Sequence, residues 1–222
     1  MRPAGFFVHG GRSKLALYRE QAAALWRHCP ASVIDPNFSV TMRPKPSPNY
    51  LAGYPAELAE EVLGLIEQNR LAELLLQKYP LAHEVRTDKA LYDFVQALKT
   101  EHLRNAGPLS LVCFDSRLQV IRQALGTHTR IARVQGTKLK AKREIRVAAV
   151  FREMPQQFLR MIVVHELVHL KEGAHDKAFY QLCRHMAPDY HQLEFDLRAY
   201  LCYLDAAGTP LWPAATDQMI GG

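Results

Sequence analysis

The stretch "FLRMIVVHELVHLKEGAH", Phe158 to His175, constrains this chain more than any other. Its first seven residues are apolar on all sides of a helical wheel except at Arg160, and a helix apolar all round must lie inside the protein. Into that buried helix the sequence sets His165, Glu166 and His169, with Glu172 and His175 just beyond. A core helix has no use for so many ionisable groups unless they serve a site. The fold must therefore be built around this helix, with its polar turn held against a sheet.

His165 and His169 are four residues apart. On a helix that spacing puts both imidazoles on one face, one turn apart, where they can chelate a single ion. Glu166, next to the first histidine, is placed to reach a water on that ion. This is the H-E-x-x-H arrangement used by zinc peptidases. Zinc takes a third protein ligand and keeps a fourth position for water. His175 is the first candidate, because Gly173 stops the helix and lets the chain turn back. The offset of ten from the first histidine equals that of metzincins, but Glu172 stands where those proteins have glycine. Glu194 on the last predicted helix is the second candidate, and His185 and His191 are further ones. Glu194 and Asp196 also qualify as partners that orient a ligating histidine from behind, or as partners of Arg184 or Arg198 in salt bridges.

Around this helix the pattern divides the chain. Residues 1–48 hold Gly-, Pro- and Ser-rich basic segments around one helical stretch, and Pro44, Pro46 and Pro48 favour an extended linker. They are expected to be an N-terminal extension, with Met42 as an alternative start. Residues 49–205 form the main domain, and 206–222 a C-terminal tail. From Pro55 the spacing of Leu58, Val62, Leu63 and Ile66 predicts a helix, and a second covers about Leu71 to Gln77. "TDKALYDFVQALKTEHLR" predicts a third, capped by Thr87 or Asp88. "LSLVCFDSRLQVI" then reads as two strands around a turn at Asp115 and Ser116. "THTRIARVQ" and "REIRVAAVF" read as strands flanking the basic loop "GTKLKAK". Pro155 opens the apolar helix through Leu170, Asp176 caps "KAFYQLCRHM", and a last helix runs from about Tyr190 to Leu204. The order predicts an α+β fold: N-terminal helices, a small antiparallel sheet packed on the H-E-x-x-H helix, and C-terminal helices.

Composition removes several classes of protein. At 48% apolar and 23% charged residues, the chain is an ordinary globular one. No apolar run reaches the roughly 18 to 20 residues of a membrane span, and the N-terminus has no h-region of signal-peptide length. A cytoplasmic protein with no membrane partner is the expectation. Cys29, Cys113, Cys183 and Cys202 form no C-x-x-C pair and predict four reduced thiols. The net charge of +6 is local: residues 130–146 alone carry seven basic residues and one acidic.

At "TDKALY", "ALGTHTRIARVQGTKLKAKREIRVAAVF", "FLRMIVVHELVHLKEGAHDKAFYQLC" and "APDYHQLEFD" the chain resembles the YgjP-like metallopeptidases, relatives of the SprT-like zincins. The resemblance spans roughly Tyr50 to Leu204. It implies a zincin-like α+β domain in which His165, His169 and His175 bind one zinc ion and Glu166 is catalytic. The first function to expect is thus a zinc metallopeptidase acting on a peptide or protein, with Glu166 as general base and an oxyanion helper from Tyr190 or His191. The alternative is a metal-dependent UTP pyrophosphatase releasing UMP and pyrophosphate, since members of this family also resemble such enzymes. There Lys138, Lys140, Lys142 and Arg143 would line a phosphate-binding rim, and Mg2+ would join as the nucleotide's ion. A third reading is a DNA-associated protease of SprT type, for which the basic segment would hold nucleic acid phosphates.

Overall fold

The computed structural model describes residues 50–118 and 143–212. Three helices come first: α1 (Ala56–Glu67), α2 (Arg70–Lys78) and α3 (Asp88–His102). Strands β1 (Leu111–Asp115) and β2 (Glu144–Ala148) follow, then a 3-10 turn (Ala149–Glu153). The buried helix α4 (Gln156–Val168), α5 (Lys177–Met186) and α6 (Tyr190–Ala207) complete the fold.

The helices begin where local chemistry favours it. The Thr87 hydroxyl accepts the Ala90 N–H at 3.1 Å and caps α3. Asp176 caps α5, its Oδ1 accepting the N–H groups of Ala178 and Phe179 at 2.9 and 3.1 Å. In α1 the buried stripe is Leu58, Val62, Leu65 and Ile66. Leu63, expected in it, is 51% exposed. Five residues beyond Leu58 it has rotated about 140° round the helix, and Leu65 takes the inward position.

The sheet differs from expectation. Among the described residues β1 and β2 pair in parallel, with Leu111 opposite Glu144 and Asp115 opposite Ala148, not antiparallel. A parallel pair needs a long crossover, and residues 116–143 provide one. Of the strand expected in "RLQVI", Arg117 and Leu118 belong instead to the turn that follows β1; its remainder and "THTRIARVQ" lie outside the described residues. Strand β2 packs against α4, so the sheet does back the apolar helix.

Helix α4 lies in the middle of the core: Phe158, Leu159, Met161, Ile162, Val163, Val164, Leu167 and Val168 are all buried. Tyr79, Tyr200 and Trp212 close around Phe158, with ring centroids 4.8, 6.4 and 6.0 Å away. Asp196 of α6 ties this layer to α2. It accepts from Lys78 Nζ and Tyr79 Oη, both at 2.6 Å, and from Gln192 Nε2 at 2.8 Å. No helix among the described residues is long and apolar enough to cross a membrane.

Candidate metal centre

The regular part of α4 ends at Val168, two residues before its expected end at Leu170. The N–H groups of Lys171 and Glu172 both bond the Val168 carbonyl at 2.9 Å, which tightens the turn. The chain then doubles back through Gly173, so that His175 returns to the helix face. The Nε2 atoms of His169 and His175 lie 3.2 and 3.1 Å from Nε2 of His165. Ligand atoms of all three histidines fall within 4.8 Å of one another, and among the described residues they form a group able to hold a metal ion.

The donor set fits zinc. Around a tetrahedral ion with Zn–N bonds of about 2.0–2.1 Å, neighbouring nitrogens sit roughly 3.3–3.4 Å apart, close to the spacing found. The outer bonds favour the ligating tautomer as well. His169 Nδ1 is 3.0 Å from the Glu172 carbonyl, which can only accept. The proton of the neutral ring is therefore on Nδ1, and Nε2 turns a lone pair toward the other imidazoles. Converging lone pairs repel, and a cation between them removes that repulsion. Glu172 thus enters the site through its backbone, which no side-chain pattern announces.

Two residues absent from the expected site support it. Phe179 lies against all three histidines, with ring centroids 5.0, 4.6 and 4.6 Å from those of His165, His169 and His175. It is fully buried and supplies an apolar wall that sets the three ring planes. The only sequence signal for it was the Asp176 cap, which fixes the first turn of α5. Cys183 is also fully buried, near the hydroxyl of Tyr190. That hydroxyl lies 2.7 Å from His165 Nδ1. Burial pushes the Cys183 thiol up to about 12 and the Tyr190 phenol well above its ordinary value, so both stay protonated.

Glu166 lies beside the first histidine on α4 and is only partly exposed. Desolvation raises its carboxyl to about 7, into the range of a group that takes and returns a proton near neutrality. A bound cation would pull it back toward the ionised form.

The other expected residues divide. Glu194 accepts from Arg198 Nη2 at 2.9 Å and lies 4.0 Å from His191 Nδ1, outside the histidine cluster. His191 meets Tyr180 at a tilt with ring centroids 5.3 Å apart, and Tyr180 in turn stacks toward His175 at 6.4 Å. His185 is exposed and meets His102 edge-on at 6.0 Å, so it too falls outside the cluster. Lys138, Lys140 and Lys142 lie outside the described residues. The Arg143 guanidinium occupies the space where a Cβ on Gly107 would stand. Arg143 therefore lies against the loop after α3.

The family described as YgjP-like, metallopeptidase domain, matches residues 110–200, a span that contains the three histidines and Glu166. A protein of Escherichia coli (strain K12) named UTP pyrophosphatase is 57% identical over 155 residues, covering 70% of this chain and 93% of that protein. No solved structure matches the chain. With a relative this similar along most of its length, and a histidine cluster suited to a metal, the chain belongs to the YgjP-like metallopeptidase-domain family and is a metal-dependent hydrolase.

Proposed function

We propose that the chain hydrolyses a nucleoside triphosphate, with UTP as the first substrate to test, to the monophosphate and pyrophosphate. One observation carries this reading above peptide hydrolysis: the extensive identity to a protein named for that reaction. The reaction takes one water, whose oxygen bonds the α-phosphorus while the α–β bridging P–O bond breaks and pyrophosphate leaves. His165, His169 and His175 would hold the ion, zinc by the fit of its donors. When bound, it would supply Lewis acidity and lower the pKa of a water to about 7.

The chain's own residues do the rest. Glu166 takes the proton of the attacking water and later returns it to the pyrophosphate oxygen. Phe179 keeps water from the back of the histidine cluster, where it would compete for the ring nitrogens. Triphosphate charge would be met by the basic residues 138–143, of which Arg143 alone is described.

Peptide hydrolysis is the second reading, supported by the metallopeptidase description of the matched family. It uses the same ion and the same Glu166. For nucleic-acid association the support remains the basic segment alone, whose residues up to 142 lie outside the described ones.

Parallel assays separate the readings. Wild type and Glu166→Gln are given UTP, with pyrophosphate release measured, and casein, with peptide release measured. The proposal expects pyrophosphate release lost on chelation and reduced on the order of 10²–10⁴-fold in Glu166→Gln, with zinc still bound. Casein cleavage without pyrophosphate release would overturn it in favour of the second reading.

A further inference from the structure

We infer that Tyr180 and His191 form a stacking platform for the base of the nucleotide substrate, with Tyr180 the residue that separates a nucleotide from a bare phosphate. This rests on the nucleotide reading and deepens it by giving the site a nucleoside end.

The bond that breaks sets where the nucleoside must lie. Water attacks the α-phosphorus, which is one ester oxygen from the ribose, while pyrophosphate leaves in line on the opposite side. Attack at the γ-phosphorus would hold the base two phosphates away; attack at the α-phosphorus brings it beside the histidine cluster. The aromatic side chains there differ in exposure. Phe179 and Tyr190 are fully buried, Phe179 against the three imidazoles and Tyr190 with its hydroxyl 2.7 Å from His165 Nδ1. Neither offers a face to a substrate. Tyr180 follows Phe179 on α5 and is half-buried. Its ring meets Phe179 edge-on at 5.3 Å and continues that wall outward from the centre. The plane of Tyr180 lies 30° from that of His175, with centroids 6.4 Å apart. His191, half-buried in the first turn of α6, extends the surface at 5.3 Å and 39° from Tyr180. The buried Tyr190 ring touches both, 6.4 Å from Tyr180 and 5.5 Å from His191, and fixes the pair from inside. Rings that fill a core are covered on both faces. This pair is left part-open next to the third histidine, where it offers π surface to whatever binds there. Every base has a π face, and stacking on Tyr or His is a general means of holding one. Stacking is tolerant of which base it holds, so the platform favours a nucleotide over a bare phosphate and not uracil over other bases.

Calorimetry on the zinc-loaded full chain tests it, comparing uridine monophosphate with ribose 5-phosphate, the same product without its base. Wild type should bind the nucleotide about 10–100-fold more tightly, the range that stacking on one aromatic side chain supplies. Tyr180→Ala should lose most of that preference while ribose 5-phosphate affinity and zinc content hold. Tyr180→Phe keeps the ring and should restore it. In pyrophosphate release from UTP, Tyr180→Ala should raise KM by a similar factor with kcat changed far less. His191→Ala should lower the preference in the same direction, and it decides the matter if Tyr180→Ala folds poorly. Full preference in both alanine variants overturns the inference. So does a parallel fall for ribose 5-phosphate, which would make Tyr180 a support of the histidines, and so does equal loss in Tyr180→Phe, which would make the hydroxyl the contact. Loss of casein cleavage in Tyr180→Ala with the preference intact would give the rings to a peptide side chain and also overturn it. Wild type that releases pyrophosphate from UTP yet shows no preference sinks the inference alone; wild type that does neither sinks the nucleotide reading with it.

Discussion

The ring of His83 has both nitrogens committed, and this makes a pH prediction at the scale of one residue. Nε2–H donates to the Phe151 carbonyl at 2.7 Å, and Nδ1 accepts the Val85 N–H at 3.0 Å. A second proton on Nδ1 would face that N–H. Burial, the largest cause, lowers the pKa below 6.5; Arg86 adds to this, while the Phe151 bond and Glu84 oppose it. Above pH 6.5 neither folded nor unfolded chain binds the proton. As pH falls through that value the unfolded chain takes it first, so stability declines until the lower folded pKa is passed. The expected share is at most about 1.4 kcal/mol per pH unit. Melting temperatures of metal-free wild type and His83→Gln between pH 7.5 and 5 check it; parallel curves would refute the role. At this scale the sequence was most legible where a side chain does the work: the spacing of His165, Glu166, His169 and His175 was sufficient to find the cluster. It was silent where backbone or tertiary contact does the work, as with the Glu172 carbonyl, Phe179 and Cys183. A buried phenylalanine or cysteine looks the same in a sequence whether it walls a site or fills a core.

Helix α5 makes the clearest case at the scale of the element. Asp176 follows the third histidine directly and caps the helix that delivers Phe179 and Cys183 to the centre. Asp176→Ala is expected to cost about 1 kcal/mol of stability and to weaken zinc binding as well, because fraying of the first turn of α5 loosens Phe179 beside the histidines. Chelator competition together with thermal melting would check the coupling; a loss of stability with unchanged zinc affinity would show that cap and centre are independent. Elements whose signal is local were well placed by sequence, as Thr87 and Asp176 at their caps demonstrate. The direction of β1 against β2 was not. Alternation and β-branched residues specify a strand but not its neighbour, and each residue of Leu111–Asp115 pairs with one 33 positions further along the chain. Hairpin turns announce antiparallel pairs, whereas a parallel pair is set by packing on α3 and α4.

At the scale of the molecule, Trp212, beyond the end of α6, belongs to the core. Trp212 is 3% exposed, its Nε1–H bonds the Tyr79 carbonyl at 2.7 Å, and its ring meets Phe158 and Tyr200. Trp212→Ala is expected to cost about 3–5 kcal/mol, read as a lower midpoint in urea. A second whole-molecule prediction concerns metal removal. An ion that binds only the folded chain stabilises it by about 2.7 kcal/mol at a hundredfold excess over Kd. The melting temperature should therefore fall on chelation and rise with added zinc, and a melting curve indifferent to both would exclude the centre. The three histidines, Glu166, Phe179, Cys183 and Tyr190 all lie in one unbroken stretch, His165 to Tyr190. Such a centre is inherited whole. Exchange of residues elsewhere in the chain leaves all of these side chains in place.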